Sequence, residues 1–350
     1  MNDNNKEEQA RSRRLFLVDG VMASSEANTF MGNLLTAFAL ALGSSDRQIG
    51  FLTTARNLAG SVQLITNHLL QRLGSKKRLF YWTFSISRTV RVIISFLPII
   101  PLVFISQNPV WWLIGLMFIV SSGDAITMVL KKTWMSELTP PEIRGRYFGL
   151  RNLLSGFSGM AIGYIGGLYI DYSKSSGWEV FGFQSIFLFS TLIGYSTLFI
   201  ISRILDASKK PERQGLKDLI KSFQQPFKDR PFLIWMIYDV CYSFAVGFAG
   251  PFFTVYLLKE LKLPLATVAI YTAIGEISSI ALSRYWGYLA DKYGNLTILT
   301  ISCIGKSIFP ALWIFTTGSN TILAILWLGF VHSVRGFNSA ENIATLNMTL

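Results

Sequence analysis

The sequence RILDASKKPERQGLKDLIKSFQQPFKDR, residues 203–230, is a long polar run between two blocks of nearly continuous apolar sequence. Six hydrophobic stretches of roughly 20 to 28 residues precede this run and four follow it, and each is long enough to cross a bilayer. The eight Lys and Arg of the run cannot cross hydrocarbon, so we expect it on the cytoplasmic face. Because backbone groups in hydrocarbon must be hydrogen-bonded within helices, the sequence predicts an all-α polytopic membrane protein.

Composition and charge support a membrane class. Hydrophobic residues make up 51% of the chain and charged residues 15%, and the mean hydropathy is +0.41. The net charge of +12 would suggest a nucleic-acid partner for a soluble protein. When the spans alternate in direction, however, 22 of the 32 Lys and Arg fall in segments expected on the cytoplasmic side and four on the outer side. The positive charge therefore sets the topology, and we expect no nucleic-acid partner.

The chain divides into four predicted segments. Residues 1–14 form a basic cytoplasmic tail, 15–204 a six-helix bundle, 205–230 the basic cytoplasmic linker and 231–350 a C-terminal bundle with four helices present. The first apolar stretch is not a secretory signal, because it is too long and carries two acids. The ten predicted spans are residues 15–42, 49–73, 79–105, 110–130, 148–170, 183–204, 231–258, 266–290, 296–315 and 321–350.

The two halves repeat in sequence. The spacing from Asp19 to Gly74 is the same as the spacing from Asp239 to Gly294, so both positions share an offset of 220. Each Asp comes a few residues into the first helix of its half, and we expect each glycine to end the second helix at a cytoplasmic turn. A weaker match, at nearly the same offset, aligns GDAI at 123–126 with AENI at 340–343. The repeat predicts two halves of similar architecture.

Two loop motifs resemble those of the major facilitator superfamily. The sequence GYLADKYGN at residues 287–295 is similar to that family's G-x-x-x-D-[RK]-x-G loop. The first-half copy keeps Arg72 and Gly74 but lacks the Gly and Asp of the pattern. ELTPPEIRGRYFGLRN at residues 137–152 resembles the P-x-x-x-R-G-x-x-F-G loop that enters the family's fifth helix.

The resemblance covers essentially the whole chain and implies two six-helix bundles around a central substrate cavity that opens alternately to the two sides. The family pattern has twelve helices and this sequence shows ten, so we expect a fragment whose last two helices follow Leu350, with a true ten-helix protein as the alternative. The resemblance also implies gating or conformational roles for residues of the signature loops, namely Arg72, Gly74, Arg144, Gly145, Gly287, Asp291, Lys292 and Gly294.

Glycines recur in the fifth predicted span. Gly159, Gly163 and Gly167 lie four residues apart. The last two belong to GYIGG, which lacks the Pro of the family's antiporter signature G-P-x-x-G-G and is one residue short of it. The spacing more simply predicts a face on which another helix packs closely.

Charged residues inside the spans must carry the chemistry. Each would cost about 2.5–3.5 kcal/mol facing lipid, so most must face a wet cavity or pair with one another. Arg88 and Arg91, one turn apart, favour structural ion pairing over ligand binding. The charges that we consider inside the spans are the acids Asp19, Glu26, Asp124, Asp239, Glu276 and Glu341 and the bases Arg56, Arg88, Arg91, Lys306 and Arg335.

The family's first, fourth, seventh and tenth helices line the cavity, which selects site candidates among these charges. They are Asp19, Glu26, Asp124, Asp239, Arg335 and Glu341. Asp19 and Asp239 occupy equivalent places in the two halves, so under a family-type fold they would face each other across the cavity. Two converging carboxylates would share a proton near neutral pH, which makes them candidates for carrying a coupling proton. The alternative is a structural role for both.

These observations predict a secondary active transporter of a small solute in the cell membrane that works by alternating access and is a candidate for proton coupling. A non-transporting membrane sensor or receptor with the same fold is the alternative. We find no HExxH sequence, glycine-rich phosphate loop, nucleophile elbow or clustered metal ligands, so we expect neither an enzyme nor a cofactor or metal site. Substrate, direction and coupling ion are not encoded in these patterns.

A cysteine placed in the linker tests the topology, in which residues 106–109 and 171–179 face outward. In a background with Cys241 and Cys303 replaced by Ser, a membrane-impermeant maleimide should not label Lys210→Cys in intact cells but should label it after permeabilisation. Ser175→Cys, in the outer loop, should be labelled in intact cells. Strong labelling of Lys210→Cys before permeabilisation would overturn the orientation.

Overall fold

The computed structural model describes residues 3–99, 108–205, 226–316 and 322–349, and all regular structure in these ranges is helical. The α-helices are α1 Asp3–Phe30, α2 Gly32–Ala41, α3 Asp46–Gly60, α4 Thr66–Leu73, α5 Lys76–Phe96, α6 Pro109–Leu138, α7 Pro141–Ser175, α8 Glu179–Ser202, α9 Arg230–Val255, α10 Leu265–Tyr293, α11 Asn295–Trp313, α12 Ile322–Ser333 and α13 Phe337–Thr349. The predicted all-α class is confirmed.

Six continuous helical stretches in the described residues are long and apolar enough to cross a membrane. Five of them are α6, α7, α8, α10 and α11, and the sixth, Phe232–Glu260, joins α9 to the π-helical turn Tyr256–Glu260. The other four predicted spans contain helices as well, but these are interrupted or carry more charge. The ten predicted hydrophobic stretches therefore all contain helix, although several are not single straight rods.

The interruptions occur where the sequence weakens a helix. Gly32 has a positive φ of 63° and separates α1 from α2. A 3₁₀ segment, Ser61–Ile65, follows Gly60 and separates α3 from α4, and another, Val334–Gly336, separates α12 from α13. Helix α5 ends at Phe96, so Pro98 lies just beyond the end of this helix.

Helix α1 also differs from the predicted boundary, because it begins at Asp3 rather than near Leu15. Residues of the basic tail, including Glu7, Glu8 and Ala10, are good helix formers and extend the membrane helix toward the N-terminus. The tail segment 1–14 is therefore largely helical. The predicted linker lies mostly outside the described residues, since residues 206–225 are among those left out.

The two glycines of the repeated turns adopt the conformation that the repeat predicts. Gly74 has φ 71° and Gly294 φ 85°, a region that favours glycine. The Gly74 amide donates to the Leu70 carbonyl at 2.8 Å, and the Gly294 amide donates to the Ala290 carbonyl at 2.9 Å. Helices α4 and α10 end one residue before these glycines. The prediction that both glycines end a helix is confirmed.

The glycine face of α7 is also confirmed at two positions. A Cβ on Gly159 would collide with the Asn28 side chain and lie 2.6 Å from Ser24 Oγ, both on α1. A Cβ on Gly167 would lie 2.8 Å from the Ala266 backbone. Only a residue without a side chain allows these close approaches.

The fold consists of two compact units. The first contains Met1–Ile162 and Tyr172–Phe253, and the second contains Gly163–Asp171 and Thr254–Leu350. In the first unit, Phe16, Phe80, Phe84 and Trp134 form an aromatic core between α1, α5 and α6. In the second, the Asp171 carboxylate accepts hydrogen bonds from the Leu265 and Ala266 amides at 2.8 and 2.9 Å and so caps α10.

A pair of substitutions on α7 tests this packing. Gly159→Leu forces a side chain into α1 and should destabilise the protein by about 1–3 kcal/mol. Gly149→Leu lies on the same helix with no atom near its Cβ position, so it should have little effect. Thermal unfolding of the purified variants in detergent measures both. Equal stability of the two variants would contradict the packing.

Candidate functional site

Four charged side chains meet between α1, α5 and α6 in the first unit. Arg88 and Arg91 are three residues apart on α5 and therefore lie on one face of that helix. Glu26 on α1 and Asp124 on α6 approach the same face. We call these four residues the charge ring.

Each guanidinium of the charge ring binds both carboxylates. Arg88 contacts Glu26 Oε2 at 2.6 Å and Asp124 Oδ1 at 2.5 Å. Arg91 contacts Glu26 Oε1 at 2.8 Å and Asp124 Oδ2 at 2.5 Å. Every carboxylate oxygen in the ring therefore accepts a charge-assisted hydrogen bond, and the two positive and two negative charges cancel. The expected structural ion pairing of Arg88 and Arg91 is confirmed.

The surroundings of the ring hold it in place. The Phe84 ring centroid lies 3.6 Å from Arg88 Cζ, and the Phe30 centroid lies 4.7 Å from Arg91 Cζ, so aromatic faces cover both guanidinium groups. Ser87 Oγ donates to Asp124 Oδ1 at 2.9 Å. A Cβ on Gly194 of α8 would lie 2.8 Å from Glu26 Cδ, so this glycine leaves the space that Glu26 occupies.

The ring is buried within the first unit except at Asp124, which is partly exposed. Arg88 is the thirteenth residue of α5, which places it about 18 Å along that helix, near the middle of a hydrocarbon layer of about 30 Å. The side chains of Glu26 and Arg91 are 2% exposed and that of Arg88 is 6% exposed, whereas that of Asp124 is 26% exposed. Asp124 is therefore the ring member that a solute could reach.

A second charged layer lies two helical turns from the ring. Lys131 Nζ contacts Asp19 Oδ1 at 2.6 Å, and the Asp19 side chain is fully buried. Lys131 also lies 5.4 Å from the Phe80 ring centroid. The sequence interpretation missed this partner, because it grouped Lys131 with the cytoplasmic charges. The sequence spacing could have indicated this pair, because Asp124 and Lys131 are seven residues apart on α6, as Asp19 and Glu26 are on α1.

The second unit contains a related pair. Lys306 on α11 forms a salt bridge with Glu341 on α13. Lys306 and Glu341 follow Arg88 and Asp124 at nearly the offset of the sequence repeat, so this pair corresponds to the Arg88–Asp124 pair of the first unit. The weaker of the two sequence matches therefore identifies an equivalent ion pair in each half.

The remaining candidates are not brought together in the same way. The Asp239 side chain on α9 is exposed, whereas Asp19 is fully buried against a cation. Lys131 is the partner of Asp19 within the first unit. The convergence of Asp19 and Asp239 stays a prediction. Arg335 lies in the turn between α12 and α13, and its Cδ would lie 3.0 Å from a Cβ on Gly275.

The signature-loop residues lie at helix ends. Arg144 Nη2 donates to the Ser136 and Thr139 carbonyls at 3.2 and 3.4 Å, and Arg13 Nη1 donates to the Leu138 carbonyl at 3.1 Å. These cations neutralise the carbonyl end of α6. Arg72 lies in the last turn of α4 and Lys292 in the last turn of α10. Gly145 and Gly287 have no atom within 4 Å of a Cβ position, and Asp291 is exposed.

Among the described residues, no group of three or more His, Cys, Asp or Glu side chains is arranged to hold a metal ion. The carboxylates of the charge ring and of the two Lys pairs already have cationic partners. The arrangement therefore places ion pairs, whose charges cancel, within the helices of the predicted spans.

Comparisons with known proteins identify relatives of this architecture. The family model described as Major Facilitator Superfamily matches residues 18–350. No curated protein matches the chain in sequence. A mutant form of the nucleoside transporter NupG is 13% identical, with a TM-score of 0.74 over 97% of this chain and 82% of that chain.

Two further solved structures show the same fold. A bacterial homologue of the human lysosomal transporter Spinster is 14% identical, with a TM-score of 0.61 over 99% of this chain and 75% of that chain. A D-xylose–proton symporter is 15% identical, with a TM-score of 0.58 over 97% and 80% of the two chains. The predicted two-bundle transporter fold is confirmed by these similarities.

The stability of the protein should fall when the charge ring loses one charge and is no longer neutral. Glu26→Gln leaves two buried guanidinium groups with a single carboxylate and should destabilise the protein by about 3–5 kcal/mol. The double variant Glu26→Gln, Arg91→Gln removes one charge of each sign and should recover part of that loss. Thermal unfolding in detergent measures both.

An exposed pair provides the control. Lys174 and Glu179 are 3.8 Å apart and solvent-accessible, so Glu179→Gln should cost less than about 1 kcal/mol. A double variant of the ring that is no more stable than Glu26→Gln alone would show that charge balance does not govern this site.

Proposed function

The chain belongs to the Major Facilitator Superfamily, and on that premise we propose that it is a secondary transporter that carries a small solute across the cell membrane by alternating access. The family and the related solved structures are transporters, and the chain is a multi-pass membrane protein. In this proposal, the N-terminus and the basic linker face the cytoplasm, in agreement with the distribution of Lys and Arg.

The observation that carries the proposal is the charge ring. Ionised groups at mid-depth in a membrane protein are costly and usually line a substrate or ion pathway. Here the four charges of the ring are paired with one another, and only Asp124 is appreciably exposed at the edge of the ring. A single accessible carboxylate that is held in place by two arginines gives a polar solute a rigid contact point.

We assign proton coupling to the pairs that contain lysine. Arginine remains protonated in proteins, so Glu26 and Asp124 keep permanent cationic partners. Lysine can lose its proton when buried, so the Asp19–Lys131 and Lys306–Glu341 pairs can each become neutral by transfer of a proton from the ammonium to the carboxylate. This internal transfer leaves the net charge of the pair at zero. A pair that takes up a proton from the aqueous phase holds a neutral carboxyl beside the ammonium and carries a charge of +1 until the proton is released, and in this proposal the bound solute compensates that charge. Among the described residues, no lysine forms a salt bridge with the exposed Asp239.

Transport by proteoliposomes tests the function. The purified full chain is reconstituted with trapped pyranine, and sugars, nucleosides and organic anions are added in turn. Solute counterflow at equal internal and external pH should appear for at least one class, with a change in pyranine fluorescence when a pH gradient is present. Specific binding of a solute with no counterflow would favour the sensor or receptor alternative.

Variants separate coupling from transport. Asp19→Asn and Glu341→Gln should abolish solute-dependent proton movement while part of the counterflow at equal pH remains. Asp239→Asn should behave as the wild type does. Loss of coupling in Asp239→Asn alone would instead assign the coupling proton to Asp239, which the sequence repeat places equivalent to Asp19. Full coupling in both Asp19→Asn and Glu341→Gln would exclude a role for the lysine pairs.

A further inference from the structure

Arg56 is a cation of the first unit that the charge ring does not neutralise. It is the eleventh residue of α3, about 15 Å along that helix and therefore near the middle of a hydrocarbon layer of about 30 Å. Its side chain is half-buried, and its Nη2 lies 3.7 Å from Met31 Sδ. Among the described residues, no carboxylate forms a salt bridge with it.

The acids near Arg56 are already engaged. Helix α3 packs against α6, so Arg56 lies on a helix adjacent to that of Asp124, which attracts it, while the like charge of Arg91 repels it. All four carboxylate oxygens of Glu26 and Asp124 accept hydrogen bonds from Arg88 and Arg91. The ring is neutral, so the ring and Arg56 together carry one uncompensated positive charge.

A lone positive charge at this depth requires a counter-charge. Burying an ion without a partner costs several kcal/mol, and arginine cannot relieve this cost by losing its proton. The guanidinium presents parallel N–H donors that match a carboxylate or phosphate group in a bidentate geometry. Because α3 packs against α6, the exposed edge of Asp124 lies on a helix adjacent to that of Arg56 and can accept a hydrogen bond from a hydroxyl or amino group of the same ligand.

We propose that the transported solute is a small organic anion whose carboxylate or phosphate binds Arg56, with the open edge of Asp124 accepting a donor from the same molecule. This inference rests on the proposed transport function and names the chemical class of its solute. Arg56 supplies the binding charge, whereas Arg88 and Arg91 hold Asp124 in place.

Paired probes separate the charge of the solute from the rest of its structure. The purified full chain is tested with gluconate and glucose 6-phosphate beside glucose. Thermal shift in detergent measures binding, and counterflow in proteoliposomes measures transport. At least one anion, but not its uncharged counterpart, should raise the unfolding temperature and support counterflow.

Substitutions on α3 identify the binding charge. Arg56→Gln should weaken the anion response at least tenfold, and Arg56→Lys should retain part of it because the charge remains. Arg47→Gln, an exposed arginine at the start of the same helix, should leave the response unchanged. If Arg56→Gln does not fold, the comparison of Arg56→Lys with Arg47→Gln carries the test, because loss of the bidentate geometry still weakens binding.

The outcomes separate this inference from the proposed function. Counterflow of uncharged solutes that Arg56→Gln does not alter would leave transport standing and overturn the anion assignment. Arg56-dependent anion binding without counterflow would support the binding site and contradict transport. Absence of any response specific to anions in the wild-type protein would overturn the inference.

Discussion

The need to neutralise charge within the membrane determines how the first unit is built. An ionised side chain in hydrocarbon must find a partner or water, and the partners here come from three different helices. Glu26, Arg88, Arg91 and Asp124 connect α1, α5 and α6 through four charge-assisted contacts of 2.5–2.8 Å. Gly123 on α6 allows the backbones of α5 and α6 to approach, since a Cβ there would lie 3.0 Å from the Thr83 carbonyl, and Gly194 on α8 leaves room for the Glu26 side chain. Packing and electrostatics therefore depend on each other.

The same constraint explains the seven-residue spacing on two helices. Asp19 and Glu26 lie two turns apart on α1, and Lys131 and Asp124 lie two turns apart on α6. Asp19 binds Lys131, while Glu26 and Asp124 share the two arginines of α5. From the Asp19–Lys131 pair to the charge ring, residue numbers therefore rise along α1 and fall along α6. Two charged layers about 10 Å apart thus set the register of an antiparallel helix pair.

Local signals made much of the fold predictable. Hydropathy located the spans, and glycine in a left-handed conformation ended α4 and α10 at the positions that the repeat indicated. The two acids of the charge ring, Glu26 and Asp124, were also among the site candidates that the sequence indicated. Their partners were not predictable, because a pairing between α1, α5 and α6 depends on helix rotation and register. Lys131 was missed because the hydropathy boundary at Leu130 placed it outside the membrane, whereas α6 continues to Leu138.

The two units differ in the cation of one equivalent ion pair. The equivalent pairs are Arg88–Asp124 in one unit and Lys306–Glu341 in the other. Arginine retains its proton under all physiological conditions, and a second arginine reinforces the first pair, so that site stays ionised and rigid. A lysine pair can be neutral or ionised, and the two forms attract neighbouring groups differently. Divergence of the repeat at this position thus leaves a permanently ionised pair in one unit and, in the other, a lysine pair of the kind that the first unit forms between Asp19 and Lys131.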